Sequence, residues 1–489
     1  LELPRQAIPS EVVLTKADVT IIGGGLSGTL VAIQLLKQAQ HKLNLCLIES
    51  QSSVGPGLAY STAEPNHLLN VPAAKMSAFP DQPDHFLKWL QNYLQKNPEL
   101  AEAFWLTPDL GQAFAPRQLY GIYLQAILQE ALAIAADHNG TKLEYICDEA
   151  VALHLRSGEM LVELQSGKQL STAKIVLALG NFAPTNPPVA DPSFYSSPRY
   201  KPSPWSSAAL EGLASDEPIM LIGTGLTMVD VTLALKNRGH RGQIYAVSRH
   251  GLLSQVHAPA KAVAGLELAE LLSTSEPLKV RNLLRYLRAK VRLAEESGSN
   301  WRVVVDSLRP FLPQLWQRLS TEEKQRFLRH AKPFWEVHRH RLPPQLKDFL
   351  LKLQNEGQLL VKAAYIQGFC EQPDGVEVTL KPRHKNQTAV IKVGRVINCT
   401  GPNMDFSRVN SPLLQNLLAQ GLATPDPLGL GLVVAETGLL VSNNTTNPES
   451  PLYTLGSVCK GSRWETTAVP EIRVQAQTLA HQLLRDSQD

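Results

Sequence analysis

Gly23-Gly24-Gly25-Leu26-Ser27-Gly28 stands between the apolar run Ala17-Asp18-Val19-Thr20-Ile21-Ile22 and the helix-like run Thr29-Leu30-Val31-Ala32-Ile33-Gln34-Leu35-Leu36. Glycines between a strand and a helix permit a tight turn and let a pyrophosphate approach backbone N–H groups at the helix N-terminus. A lone GxGxxG is weak evidence, but this one has its full context. A second strand, Leu43-Asn44-Leu45-Cys46-Leu47-Ile48, follows and ends at Glu49-Ser50. That acid lies about 20 residues past the last glycine, where adenosine ribose hydroxyls are held. Gly23, Gly25, Leu26, Ser27, Gly28, Glu49 and Ser50 are therefore expected to bind a dinucleotide.

A second fingerprint, Gly223-Thr224-Gly225-Leu226-Thr227-Met228, follows Pro218-Ile219-Met220-Leu221-Ile222 and opens the helix Val229-Asp230-Val231-Thr232-Leu233-Ala234-Leu235. Met228 replaces the final glycine, whose role is close helix–strand packing. The next strand, Gln243–Val247, ends in Ser248-Arg249-His250 with no acid. A cation there suits a 2′-phosphate and favours NADPH over NADH. The plain alternative is that Arg249 caps an exposed strand end. Gly223, Gly225, Leu226 and Arg249 form the second expected set. Two such sites in one chain suggest FAD and NADPH handled together.

The 489 residues suffice for several domains, and 44% hydrophobic with 19% charged residues is ordinary for a globular enzyme. A net charge of +3 makes no global case for nucleic-acid binding. No apolar run is expected to reach the ~20 residues of a membrane span, and the first residues carry no signal-peptide core. Cys46, Cys147, Cys370, Cys399 and Cys459 are scattered, with no CxxC pair. They argue for a reducing compartment, with cytoplasm as the default, and against a flavin-linked dithiol or a metal site.

The expected fold class is α/β, with two Rossmann-like dinucleotide-binding domains and a helical insertion in the second. Residues 1–200 and 401–489 are assigned to the FAD-binding domain, and 201–400 to the NADPH-binding domain, with the insertion at about 255–350. Gly55-Pro56-Gly57-Leu58-Ala59-Tyr60-Ser61 reads as loop, and the Pro- and Ser-rich residues 184–216 as a linker. Strands are expected at Leu143–Ile146, Ala150–Leu155, Met160–Leu164, Lys174–Leu179, Leu359–Ala363, Gly375–Leu380 and Val393–Cys399. In the insertion, Val280, Leu283, Leu284, Leu287 and Val291 share one helix face, with Arg281, Arg285, Arg288 and Arg292 opposite. From Glu276 to Arg341 there are 15 Lys/Arg and 7 Asp/Glu, which reads as a solvated basic face or an anion-facing surface. Near the C-terminus, Leu452–Ser457 reads as a strand into a turn. A helix with Ile472, Ala476, Leu479 and Leu483 on one face follows, and Pro470 suits its first turn.

Gly55–Tyr60, Leu68–Phe79, Phe114-Ala115-Pro116-Arg117 with Tyr120-Gly121, Leu177–Asn181, Trp335–Arg341, Asn398–Pro402 and Glu465–Gln475 together resemble bacterial FAD/NAD(P)-binding proteins of the YdhS-like group. That group is similar to class B flavin monooxygenases and amino-acid N-hydroxylases, with relatives that N-hydroxylate aspartate. The resemblance implies FAD at the first fingerprint, NADPH at the second, and oxygen activation at flavin C4a. Within these motifs Gly57, Leu58, Tyr60, Asn70, Gly180, Gly401, Glu465, Thr466, Thr467 and Ile472, and in the turn after Leu452 Gly456, are expected to contact cofactor. The chain departs from the class B pattern in lacking a clear FxGxxxHxxxW(P) signature, of which Tyr200 and Trp205 are candidate remnants.

His338-Arg339-His340-Arg341 follows Phe334-Trp335 and reads either as cations complementing a helix C-terminus or as a carboxylate- or phosphate-binding set. Arg117 reads either as an ion-pair partner or as a flavin or substrate contact. The leading expectation is an NADPH-dependent FAD monooxygenase acting with molecular oxygen on a small polar, anionic or amino-acid substrate. The alternatives are a flavin oxidoreductase or oxidase without oxygenation, and a redox-sensing FAD protein. The sequence leaves oligomeric state open.

Overall fold

The computed structural model describes residues 13–104, 106, 108–156, 159–266, 268–273, 277–443 and 451–485. In chain order its strands are β1 (Val13–Ile22), β2 (Asn44–Glu49), β3 (Lys142–Cys147), β4 (Ala150–Arg156), β5 (Glu159–Leu164), β6 (Gln169–Leu177), β7 (Tyr200–Lys201), β8 (Ile219–Ile222), β9 (Ile244–Ser248), β10 (Leu359–Gln372), β11 (Gly375–Pro382), β12 (Ala389–Val393), β13 (Arg395–Asn398) and β14 (Leu452–Thr454). They build two seven-stranded sheets. The first has the order β3-β2-β1-β6-β5-β4, with β14 also on β6. The second runs β12-β11-β10-β9-β8-β13-β7.

Each sheet has a parallel half. Ile21 pairs with Leu47 across β1–β2, and Leu221 with Ala246 across β8–β9. Buried on both faces, the paired segments 19–22, 45–48 and 219–222 are largely apolar, as parallel strands tend to be. The helices Leu26–Gln38, Arg117–His138 and Val469–Arg485 cover one face of the first sheet. Ile472, Ala476, Leu479 and Leu483 are all buried there, as their spacing predicts. Each such side chain contributes roughly 1.5–3 kcal/mol of transfer free energy. The helices Leu226–Asn237 and Pro344–Asn355 cover the second sheet in the same way.

Several local expectations need correction. Residues 57–60 form a single helical turn where Gly and Pro suggest loop. The Pro-rich linker supplies β7, which pairs with β13 and closes the edge of the second sheet. β10 continues to Gln372 and pairs antiparallel with β11, and β12 was not anticipated because its residues are mostly exposed and lack a clear alternation. In the insertion helix Val280–Glu296, Leu284 is exposed and Ala294 is buried instead. Arg117–His138 is long and apolar enough by length and composition to cross a membrane, contrary to expectation. Its Leu119, Tyr120, Tyr123, Leu124 and Ile127 are core residues packed with the first fingerprint helix.

The insertion has its own core of Leu268, Leu271, Leu308, Leu315 and Trp316, and Leu430 and Trp464 from the C-terminal part of the chain join it. It is therefore docked on the segment that precedes the last helix.

The glycines of the fingerprints differ in tolerance to a side chain according to their place in the turn. A Cβ on Gly28 would sit 1.9 Å from the Gly23 carbonyl oxygen, whereas one on Gly225 meets nothing within 4 Å. Gly28→Ala is expected to cost about 2–4 kcal/mol, or to prevent folding, while Gly225→Ala stays within about 1 kcal/mol. Urea unfolding of both variants checks this.

Candidate functional site

The first turn is sealed by backbone. Gly23 has φ +106°, and a Cβ there would lie 2.3 Å from the Ala178 carbonyl oxygen. Gly25 caps the helix Leu26–Gln38 with no side-chain hydrogen bond, so no side chain satisfies the first-turn N–H groups. The Gly55–Tyr60 segment closes over it. Gly55 N–H donates to the Gly24 carbonyl (2.8 Å), and a Cβ on Gly57 would lie 2.8 Å from the Gly25 Cα. Glu49 accepts from Gly24 N–H (2.7 Å), Gln51 N–H (2.9 Å) and the Ser50 hydroxyl (3.2 Å).

On the other side, a Cβ on Gly456 would be 3.0 Å from Ser27 Oγ, and Ser457 Oγ donates to the Gly180 carbonyl. The structure thus brings Gly23, Gly25, Leu26, Ser27, Gly28, Glu49, Ser50, Gly57, Gly180 and Gly456 to one rim. Uncapped N–H groups, absent Cβ atoms and a carboxylate at the strand end fit the pyrophosphate and ribose of a dinucleotide. Leu58 is 56% exposed beside this rim, and Tyr60 packs on Tyr120 at 4.8 Å. Burial pushes the Tyr60 phenol up to about 12, so it stays protonated.

The C-terminal segment reaches the same rim. Thr466 Oγ1 donates to the Gly456 carbonyl (3.2 Å). Gln475 bridges them, accepting from Gly456 N–H (3.0 Å) and donating to Thr466 Oγ1 (2.8 Å). Gln475 lies in a recognised motif, yet its role was not anticipated. Thr467 is exposed and Ile472 is buried. Trp464, at φ +47°, is the sole non-glycine with positive φ among the described residues. It is stacked on Trp316 of the insertion at 4.8 Å.

Glu465 is the point where the insertion is bound. Trp335 Nε1 donates to it (2.7 Å), and Arg339 Nε lies 3.5 Å from its other oxygen. Arg339 also reaches Glu471 (3.8 Å), and Glu471 takes a two-pronged pair from Arg309, with Nη2 at 2.6 Å. Burial alone would raise the Glu465 carboxyl, but Arg339 and then His340 outweigh it and hold it below its ordinary value. Arg341 makes a bidentate pair with Asp306 (2.8 and 3.0 Å) and lies over Trp301. His338 Nδ1 is bonded to the Phe334 carbonyl at 2.7 Å. The cations of the Trp335–Arg341 motif are thus matched by Glu465, Glu471 and Asp306 of the same chain. Arg117 is an ion-pair partner, 2.8 Å from Asp230.

At the second fingerprint Gly223 has φ +113°, and a Cβ there would lie 2.6 Å from the Cys399 carbonyl oxygen. Gly225 leaves the helix Leu226–Asn237 without a side-chain cap. Met228, at the position that Gly28 holds in the first unit, is fully buried, and Thr232 Oγ1 lies 3.4 Å from its sulfur. Arg249 is exposed at the end of β9. Arg383, arriving from the far end of β11, bonds His250 and reaches the Arg249 carbonyl (3.4 Å). Phe334, 48% exposed, meets the His250 ring edge-on at 5.7 Å. No ion pair is made by Arg249 or Arg383 among the described residues. Two arginines beside an exposed ring suit an adenosine 2′-phosphate. Gly401 (φ +91°) follows β13 with open space where a Cβ would be, and the Asn70 carbonyl meets His257 Nε2 at 2.9 Å. No cluster of metal-ligating residues occurs among the described residues.

Residues 20–182 match a family model described as FAD-NAD(P)-binding, and this stretch is an FAD/NAD(P)-binding domain. An uncharacterized protein of Mycobacterium tuberculosis is 22% identical over 96% of both chains. Among solved structures, the ornithine hydroxylase of Pseudomonas aeruginosa superposes with TM-score 0.64 at 15% identity, covering 96% of this chain and 99% of that one. The L-lysine 6-monooxygenase of Pseudomonas syringae gives 0.63 at 16%, with the same coverage. A bacillithiol disulfide reductase of Staphylococcus aureus gives 0.55 at 12%, covering 97% and 99%. At these identities the likeness shows the fold, an α/β architecture with parallel sheets.

Burial lowers the pKa of His85, His240, His250, His257 and His340 below the ordinary 6.5. The unfolded chain then binds more protons near pH 6, so stability is full above about pH 6.5 and is lost as pH falls. The urea midpoint is expected to drop between pH 7.5 and 5.5; a flat or rising profile contradicts this reading.

Proposed function

We propose that this chain is an NADPH-dependent FAD monooxygenase that hydroxylates a small polar substrate, with N-hydroxylation of an amino acid such as aspartate as the specific form. The reading is carried by one observation. Two uncapped helix N-termini sit behind glycine turns in one chain, the first beside Glu49 and the second beside Arg249 and Arg383. FAD bound at the first would accept hydride from the nicotinamide and supply oxygen chemistry.

The chain's own residues have distinct tasks in this scheme. Glu49 holds the ribose of the first dinucleotide, and Arg249 and Arg383 hold the 2′-phosphate of the second. Thr466, Gln475 and the N-terminus of the helix Val469–Arg485 would lie toward the flavin, where the helix end would favour negative charge. The insertion, bound at Glu465, excludes water from that edge. A carboxylate-bearing substrate would compete with Glu465 and Glu471 for Arg339, and with Asp306 for Arg341. A dithiol reductase reading lacks support, because all five cysteines are unpaired and burial pushes the Cys46 and Cys459 thiols up to about 12.

Purified protein is expected to oxidise NADPH in the presence of an amino-acid panel and yield a hydroxylated product. Peroxide at the same rate with every substrate would overturn the monooxygenase assignment. Arg249→Ala and Arg383→Ala are each expected to reduce the NADPH-over-NADH preference about tenfold, or ~1.4 kcal/mol. Steady-state rates with both nucleotides check this, and unchanged preference in both variants would contradict it.

A further inference from the structure

The helix Leu226–Asn237 carries a carboxylate that its apolar surroundings do not explain. Asp230 lies one turn past the uncapped N-terminus, with its side chain 5% exposed. A buried carboxylate is costly unless paired, and the group that pairs it comes from the other dinucleotide unit. Arg117 Nη2 stands 2.8 Å from Asp230 Oδ2, off the axis of an aligned hydrogen bond, so the contact is chiefly Coulombic. Arg117 is itself held in place. Its Nε donates to the Leu68 carbonyl (3.1 Å), its backbone N–H donates to the His67 carbonyl (2.8 Å), and its guanidinium lies over Trp205.

The neighbouring contacts act on the same helix. His67 Nε2 is 3.0 Å from the Asp230 carbonyl, with its other ring nitrogen bonded to Thr62 Oγ1 at 2.7 Å. Near the helix C-terminus, Arg238 pairs with Glu64 at 3.0 Å. Residues 62–68 of the first unit thus grip one helix of the second near both its ends.

We infer that Arg117 and Asp230 are positioning residues: their ion pair sets where the second dinucleotide's helix stands relative to the first dinucleotide's rim. This rests on the two-dinucleotide reading above. Hydride transfer needs its atoms about 3–3.5 Å apart, and a displacement of about 1 Å can cost a hundredfold in rate. The pair acts on that separation through the helix it holds.

The test uses FAD-loaded full-length protein and the variants Arg117→Gln and Asp230→Asn. Stopped-flow flavin reduction by NADPH is expected to slow about 10- to 100-fold in each, while FAD content stays at the wild-type level and NADP⁺ affinity changes less than about threefold. Independently of turnover, amide hydrogen exchange without nucleotide should rise in residues 226–237 and 62–70. Should both variants fail to fold, Arg238→Ala, at the more exposed contact, is expected to shift exchange and rate in the same direction by a smaller factor. Unchanged exchange and reduction rate would overturn the clamp, as would loss of FAD from Arg117→Gln with unchanged exchange, which would make Arg117 a flavin contact. A wild-type protein that NADPH does not reduce would overturn the parent reading instead, and the exchange measurement would still decide the clamp.

Discussion

Residue 28 can carry no side chain, because its Cβ would sit 1.9 Å from the carbonyl of residue 23. That contact draws the first helix against its strand and aims uncapped backbone N–H groups at one point. The remaining elements of the first unit are arranged around that point. Residues 55–60 cover it, Glu49 bonds its edge, and Gly180 and Gly456 approach from neighbouring strand ends. The second unit repeats the plan with less constraint. Met228 fits where Gly28 could not, so the turn is retained while the helix packs through a side chain.

The parts of this arrangement legible in the sequence are those fixed by local geometry. A glycine needed for close approach, an apolar run buried on both faces and a helix face of Ile472, Ala476, Leu479 and Leu483 all leave marks within a few residues. Groups whose meaning depends on a distant partner were not legible. Arg383 meets Arg249 across 134 residues of chain, and nothing near Arg383 signals a phosphate. Asp230 reads as a polar interruption of an apolar helix until Arg117 is placed beside it. The run His338–Arg341 reads as helix-end cations or as an anion-binding set, because its partners Asp306, Glu465 and Glu471 lie elsewhere in the chain.

That last pairing changes how the insertion is understood. At its contact with the C-terminal segment that basic character is met by acids, Arg309 and Arg339 facing Glu465 and Glu471. Removing one member of such a pair typically costs about 3–5 kcal/mol, because the other is left buried and unpaired. The insertion is thereby anchored on the C-terminal segment through Glu465, next to Thr466 and the start of the last helix. Trp464, immediately before Glu465, is held in a strained conformation and stacked on Trp316 of the insertion.

The central claim is that both glycine turns hold dinucleotides that exchange hydride within one chain. Anaerobic titration of the purified protein with NADPH, followed by flavin absorbance, tests it most directly. The account predicts one FAD per chain, bleached stoichiometrically by NADPH and far more slowly by NADH. Protein that carries no flavin after reconstitution, or a flavin that NADPH leaves oxidised, would contradict it.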